Sequence, residues 1–250
     1  MGQKELTMPK KPYLSIVAPA YNEEEIISDT IKDWANFIKK EKIRGEIVIC
    51  NDGSKDRTGE ILKNLQKKYP MLVVCENKPN KGYGAAVANA VRHTRGELVM
   101  TLDSDGQFGV QAYKKLCQKL ESGNYDFVTG YRFRKRDSFA RVVADRAFNL
   151  IMRLFFGLQF RDTNCAQKLY RAAVIKKINI EARGYPVPTE IMVKSAELGA
   201  RIGEVGVVHY ERTKGASKLN IYKTSVDVLK FLAYLRLKLH AYRKRIIHSL

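Results

Sequence analysis

Four short apolar runs, Leu14 to Pro19, Ile47 to Cys50, Leu72 to Cys75 and Leu98 to Leu102, recur through the first half of the chain. Each is rich in Val, Ile or Leu, with no polar residue at alternate positions along most of its length. Between them apolar side chains fall at helical spacing: Ile26, Ile27, Ile31, Trp34 and Phe37 after the first run, Ile61, Leu62 and Leu65 after the second. A strand that is apolar on both faces must be covered on both faces, and helices alternating with such strands do this by packing on either side of a parallel sheet. The pattern predicts an α/β fold with a mostly parallel central sheet. It continues less regularly, with a further strand expected over Asp126 to Tyr131, a helix over Phe139 to Phe155 and a polar turn at Arg161 to Asn164.

A chain of 250 residues holds one well-buried core, with room for an appendage. The division expected here is a folded unit over 12–220 and a terminal segment over 221–250. Ile221 to Lys244 reads as an amphipathic helix with Val228, Phe231, Leu232, Leu235 and Leu239 on one stripe. From Arg236 to Arg245 it carries basic residues and no acidic ones. The stripe equally allows a helix packed on the domain and a helix lying on a membrane surface. Lys and Arg number 45 against 26 Asp and Glu, a net charge of +19, which draws a protein toward phosphate-rich partners or an anionic membrane. No run approaches the roughly 18–20 apolar residues of a membrane-spanning helix, and the polar start Met1 to Pro12 gives no expectation of a signal peptide. Cys50, Cys75, Cys117 and Cys165 lack CxxC spacing and lie in apolar or helical segments, so reduced structural thiols and a cytoplasmic setting are expected.

Ligands of such sheets bind beyond the carboxyl ends of the strands, and there the sequence turns polar: Tyr21-Asn22-Glu23, Asn51-Asp52-Gly53-Ser54 and Asp103-Ser104-Asp105. Two carboxylates spaced as Asp103 and Asp105 offer hard oxygen ligands to Mg2+ or Mn2+ bridging a diphosphate, with Gln107 as a neutral third ligand. A solvated turn is the commoner explanation of such a pair by itself. Asp52 is placed either to cap the helix beginning near Thr58 or to accept hydrogen bonds from a nucleoside. Lys81-Gly82-Tyr83-Gly84 reads as a turn into a helix whose start favours anions.

Taken in order, Pro19-Ala20-Tyr21-Asn22-Glu23-Glu24, Asn51-Asp52-Gly53-Ser54-Lys55-Asp56-Arg57-Thr58, Asn80-Lys81-Gly82-Tyr83-Gly84-Ala85-Ala86 and Asp103-Ser104-Asp105-Gly106-Gln107 closely resemble the motifs of family 2 glycosyltransferases, whose nucleotide-sugar-binding fold is called GT-A. Gly130-Tyr131-Arg132, Asp145-Arg146-Ala147-Phe148-Asn149, Asp162-Thr163-Asn164-Cys165-Ala166-Gln167-Lys168 and Arg212-Thr213-Lys214-Gly215-Ala216-Ser217-Lys218 are similar to the polyprenyl-phosphate hexosyltransferases within it. Gln167 stands where that group has an aromatic residue. The resemblance implies that Pro19, Tyr21, Glu23, Asp52, Lys81 and Asp103 hold the nucleotide, and that Asp103, Asp105 and Gln107 hold the metal. It further implies that Arg132, Arg146, Arg212, Ser217 and Lys218 surround the diphosphate and the acceptor phosphate; with Asp105, the four basic residues of that set form the expected catalytic group.

The reaction so implied moves a hexose from a nucleoside-diphosphate sugar, GDP-mannose favoured over UDP-glucose, to a polyprenyl or dolichyl phosphate. A phosphate monoester has a second pKa near 6 and attacks as a dianion, so no general base is required. An anionic membrane surface on the cytoplasmic side and a membrane-spanning partner subunit are the further partners considered. Leu150 to Phe156 is equally placed to face lipid or to pack in the core. Two rivals follow from the residues: a family 2 transferase acting on a sugar hydroxyl, for which the sequence identifies no base, and a basic nucleic-acid-binding protein, for which no zinc-finger or RNA-recognition signature is present.

Overall fold

The computed structural model describes residues 11–133, 139–184, 186–210 and 221–247; side chains at 133, 139–146 and 221–225 lie outside the description. In its first half β1 (Leu14–Ala20), α1 (Ile27–Lys40), β2 (Gly45–Asn51), α2 (Thr58–Lys68), β3 (Leu72–Glu76), α3 (Tyr83–Arg92) and β4 (Leu98–Thr101) follow one another as the apolar runs require. Then come α4 (Tyr113–Ser122) behind a 3-10 turn, β5 (Phe127–Phe133), α5 (Phe139–Phe156), β6 (Lys168–Arg171), a single turn α6 (Ala172–Ile175), α7 (Val187–Glu197), β7 (Ile202–Val208) and α8 (Ile221–Arg243).

The seven strands form one sheet in the order β3-β2-β1-β4-β6-β5-β7. β3, β2, β1 and β4 pair in parallel, and β5 pairs in parallel with β7. Only β6 is reversed, antiparallel to β4 on one side and β5 on the other. The carboxyl ends of all the other strands therefore share one edge. Alternation within the strands sorts the core into two layers. Leu14, Ile16, Ala18 and Ala20 of β1 join Trp34, Ile38, Leu62 and Leu116 from α1, α2 and α4. Val17, Val48 and Val99 point the other way, among Ala86 and Ala90 of α3, Ile191 and Met192 of α7, and Leu232, Leu235 and Leu239 of α8.

The terminal helix thus packs its predicted stripe on the domain. Each of those three leucines is buried, contributing on the order of 1.5–3 kcal/mol. Lys238 pairs with Glu181, and Arg243 with Glu197 at 2.7 Å. The opposite side of α8 is not purely polar, since Leu229, Tyr234 and Leu237 are exposed. α5 divides likewise: Met152 is buried while Leu150, Leu154 and Phe155 are exposed, Leu154 to 71%. Among the described residues no helix is long and apolar enough to cross a membrane, and all four cysteines are free.

Candidate active site

The turns after β1 and β2 interlock at the carboxyl edge. Asn22, in the left-handed region at φ 54°, donates its N–H to Ser54 Oγ (3.0 Å) and accepts the Lys55 N–H on Oδ1 (2.8 Å). Glu23 N–H donates to Thr58 Oγ1 at 2.8 Å. Pro19 is held from the turn after β4, its carbonyl accepting Ser104 Oγ–H at 2.8 Å. Of the predicted nucleotide residues, Pro19 therefore lies near the end of β1 and Tyr21 and Glu23 on the turn that follows, fixed from two sides and half-buried.

Asp52 departs from one of its expected roles. The helix at Thr58 is capped by Asp56, whose Oδ1 accepts the Thr58 N–H at 3.0 Å. Burial works against charge on Asp56, yet hydrogen bonds from Thr58 and Glu24 outweigh it and hold its pKa below the ordinary value. Asp52 instead caps α3. Its Oδ1 accepts Asn77 Nδ2 (2.8 Å) and the Lys81 N–H (3.0 Å), and its Oδ2 accepts the Gly82 N–H (2.8 Å). The Asp52 carboxylate thus occupies the N–H groups of Lys81 and Gly82, just ahead of the first residue of α3. The Lys81 side chain is exposed beside them. The start of α3 is also seated on the 182–183 loop: Gly84 N–H donates to Arg183 O (3.2 Å), and a Cβ on Gly84 would lie 1.6 Å from Ala182 O. Only glycine fits there.

Asp103 and Asp105 follow β4 directly, and each carboxylate is oriented by a donor. Tyr83 Oη–H donates to Asp103 Oδ1 at 2.9 Å. Burial first, then the charge of Asp103, pushes the Tyr83 hydroxyl well above its ordinary pKa, so it remains a donor. Gln107 N–H donates to Asp105 Oδ1 at 3.1 Å. The Gln107 amide is itself fixed, Nε2 donating to Tyr210 O (3.3 Å) while Tyr210 N–H donates to Gln107 O (2.9 Å). Phe108 pairs with His209 in the same place, their rings meeting edge to face with centroids 4.9 Å apart. The turn after β4 is thus stitched to the end of β7. The donor set fits a small divalent cation: two hard carboxylates and an amide oxygen, each oriented by an outer partner. Among the described residues no group of three acidic, His or Cys side chains gathers to enclose a metal.

Arg132, near the carboxyl end of β5, lies two strands from β4 and so about 10 Å along the same edge. Its guanidinium is gripped by Asp162, Nε to Oδ2 at 2.6 Å and Nη2 to Oδ1 at 2.9 Å. Burial opposes the Asp162 charge, but the bonds and charge of Arg132, and then the charge of Lys168, hold its pKa below the carboxylate norm. Beside this pair Arg161 stacks over Tyr131 at 4.7 Å. Gln167 is fully buried, its Nε2 donating to Gly109 O at 2.9 Å. The Arg146 side chain, and Arg212, Ser217 and Lys218 entirely, lie outside the described residues.

The turns of Tyr21, Asp52 and Asp103 and the side chain of Arg132 are therefore brought to one edge. Tyr83, Asn77, Asp162, His209 and Tyr210 belong to the same constellation and are not among the residues expected from sequence. Tyr83 and Asp162 lay inside quoted motifs, whereas His209 and Tyr210 carried no signal.

The model of the family described as glycosyl transferase family 2 matches residues 15–179. The chain is 33% identical over 245 residues to dolichyl-phosphate beta-glucosyltransferase ALG5A of Trichomonas vaginalis, covering 91% of this chain and 75% of that one. It is 28% identical over 231 residues to dodecaprenyl-phosphate galacturonate synthase of Rhizobium johnstonii, covering 90% and 68%. In fold it is similar to glucosyl-3-phosphoglycerate synthase of Mycobacterium tuberculosis in complex with Mn2+, UDP-glucose and phosphoglyceric acid, with a TM-score of 0.68, 17% identity and coverage of 91% and 79%.

Proposed function

Because the chain belongs to the family 2 glycosyltransferases and has their GT-A fold, we propose that it transfers a hexose from a nucleoside-diphosphate sugar to a polyprenyl phosphate. The observation that carries the reading is the shared sheet edge: Asp103 and Asp105 in the turn after β4, the Arg132–Asp162 pair two strands away, and the Asp52 turn on the other side. Relatives named for transfer to dolichyl and dodecaprenyl phosphates support the acceptor class. They carry glucose and galacturonate, so UDP-glucose replaces GDP-mannose as the first donor to test.

Asp103, Asp105 and Gln107 would hold a divalent ion, which when bound neutralises the diphosphate as it departs. The Mn2+ bound with UDP-glucose in the fold relative supports that class of ion. Pro19, Tyr21, Glu23, Asp52 and Lys81 form the nucleotide side. Arg132, with Arg146, Arg212, Ser217 and Lys218, supplies the cationic side for the acceptor, where two anions must meet. The acceptor phosphate oxygen bonds to the anomeric carbon as the carbon–oxygen bond to the diphosphate breaks on the opposite face, inverting the configuration. No proton moves, so no base is called for. Exposed Leu150, Leu154, Leu229 and Leu237, among basic residues of α5 and α8, suit shallow contact with an anionic lipid surface.

The test is transfer from UDP-glucose or GDP-mannose into liposomes holding polyprenyl phosphate, with Mn2+, Mg2+ or chelator. Sugar should enter the lipid only when phosphate and metal are both present. Asp105→Asn should cost more than the roughly 10- to 100-fold typical of an outer-shell change. Equal transfer to free polyprenol, or turnover indifferent to chelator and to Asp105→Asn, would overturn the proposal.

A further inference from the structure

Lys168 is fully buried and takes no part in the contacts assigned above. It opens β6, the reversed strand, with Thr101 of β4 opposite it on one side and Thr129 of β5 on the other. Its Nζ donates to Thr129 Oγ1 (2.6 Å) and to Thr163 O (3.2 Å), touches Met192 Sδ (3.3 Å) and lies 5.7 Å from the centre of the Phe127 ring. None of these partners is a carboxylate. A cation without a touching counter-ion is a liability in a core, and burial pushes this ammonium down to about 8. A methionine of similar length would fill the space more cheaply.

What the cation does supply is local. Thr163 directly follows Asp162, so the bond to Thr163 O ties down the turn that presents the Asp162 carboxylate. Its charge also favours the ionised form of Asp162. That carboxylate in turn fixes two nitrogens of Arg132. Thr129 lies on the same strand as Arg132, three residues before it, so one ammonium braces both halves of the pair.

We propose that Lys168 is a positioning residue for the acceptor phosphate, holding the turn at 162–163 and β5 together so that Arg132 faces the incoming anion. The inference rests on the reading that the Arg132 end of the sheet receives a polyprenyl phosphate. It goes beyond that reading in assigning a role to a group that never meets substrate.

Lys168→Met and Thr129→Val separate this from a packing role. Methionine is flexible enough to occupy the site, which borders a small cavity shared with Tyr83, Thr101 and Tyr170. Valine keeps the shape of threonine while removing the oxygen that Nζ meets. Initial rates are measured against polyprenyl phosphate and, separately, against nucleotide sugar, alongside melting curves. The acceptor KM should rise about tenfold or more in Lys168→Met, in line with other changes one shell away from a ligand, and by less in Thr129→Val, while the donor KM stays within about twofold. Equal changes in both KM values, or none, in folded protein would overturn the positioning role. Should Lys168→Met fail to fold, Thr129→Val decides by the same split. If the wild-type chain transfers sugar to some other acceptor and not to polyprenyl phosphate, the functional reading falls and this inference with it; transfer by the wild type with no split in the variants removes the inference alone.

Discussion

Asp52→Asn isolates the cap at the start of α3, because it keeps the size of the side chain and removes only its charge and one acceptor. Asp52 is 2% exposed and accepts three hydrogen bonds, two on Oδ1 and one on Oδ2. The better orientation of the amide leaves its oxygen facing Asn77 and Lys81 and turns its NH2 toward the Gly82 N–H. One charge-assisted bond is lost there and a buried donor meets another donor, a combined cost of about 2–4 kcal/mol. For a chain of this size roughly 2–4 °C accompany each kcal/mol, so melting should fall on the order of 4–16 °C.

The loss should not stop at stability. Tyr83, the first residue of α3, orients Asp103, so a displaced helix start loosens a predicted metal ligand as well as the nucleotide turn. Donor affinity, measured by calorimetry well below the melting point, should fall with it. A melting temperature within about 1 °C of wild type would refute the cap, since no arrangement of the amide preserves all three bonds. Reduced melting with unchanged nucleotide affinity would leave the cap standing and remove Asp52 from the donor site.

Two further outcomes follow from buried charge. Lys194→Met leaves Glu190 without the ammonium that meets it at 2.6 Å inside the core; urea denaturation should show a loss of about 3–5 kcal/mol, and a variant as stable as wild type would mean the pair is not buried as described. Asp162 has a folded pKa below its unfolded value of about 4, so its stabilising contribution is present above that pH and is lost as pH falls through the folded value. Arg132→Met lets the burial cost dominate, so the rise of stability with pH from about 3 to 6 should flatten or reverse, and an unchanged slope would contradict the pair.

The parallel half of the sheet was legible because its strands are apolar on both faces and its functional turns adjoin them in sequence. Even there one of the two roles considered for Asp52, capping the helix at Thr58, falls to Asp56 instead. Asp52 lies six residues before Thr58, whereas its true partners are around 25 to 30 residues away and reach it because β3 pairs beside β2. β6 was not read as a strand, since a lysine opens it and a polar turn precedes it. α7 was hidden for a related reason: Thr189, Glu190, Lys194 and Ser195 are all buried in it, so burial there does not follow apolarity. The stripe of α8 was legible too, and it packs with α7 and the sheet in one core layer, the first of the two roles it allowed.

The two sides of the edge also differ in what fixes them. On the proposed donor side Asp103 is set by the strand it follows and by one donor, the Tyr83 hydroxyl at the start of α3. On the proposed acceptor side Arg132 is held by Asp162, the turn of Asp162 is bonded by Lys168, and Lys168 rests against α7 through Met192. Each link joins different elements, so a shift in any one moves the last. Substitutions at Thr129, Thr163 or Met192 should for this reason disturb Arg132 without touching it.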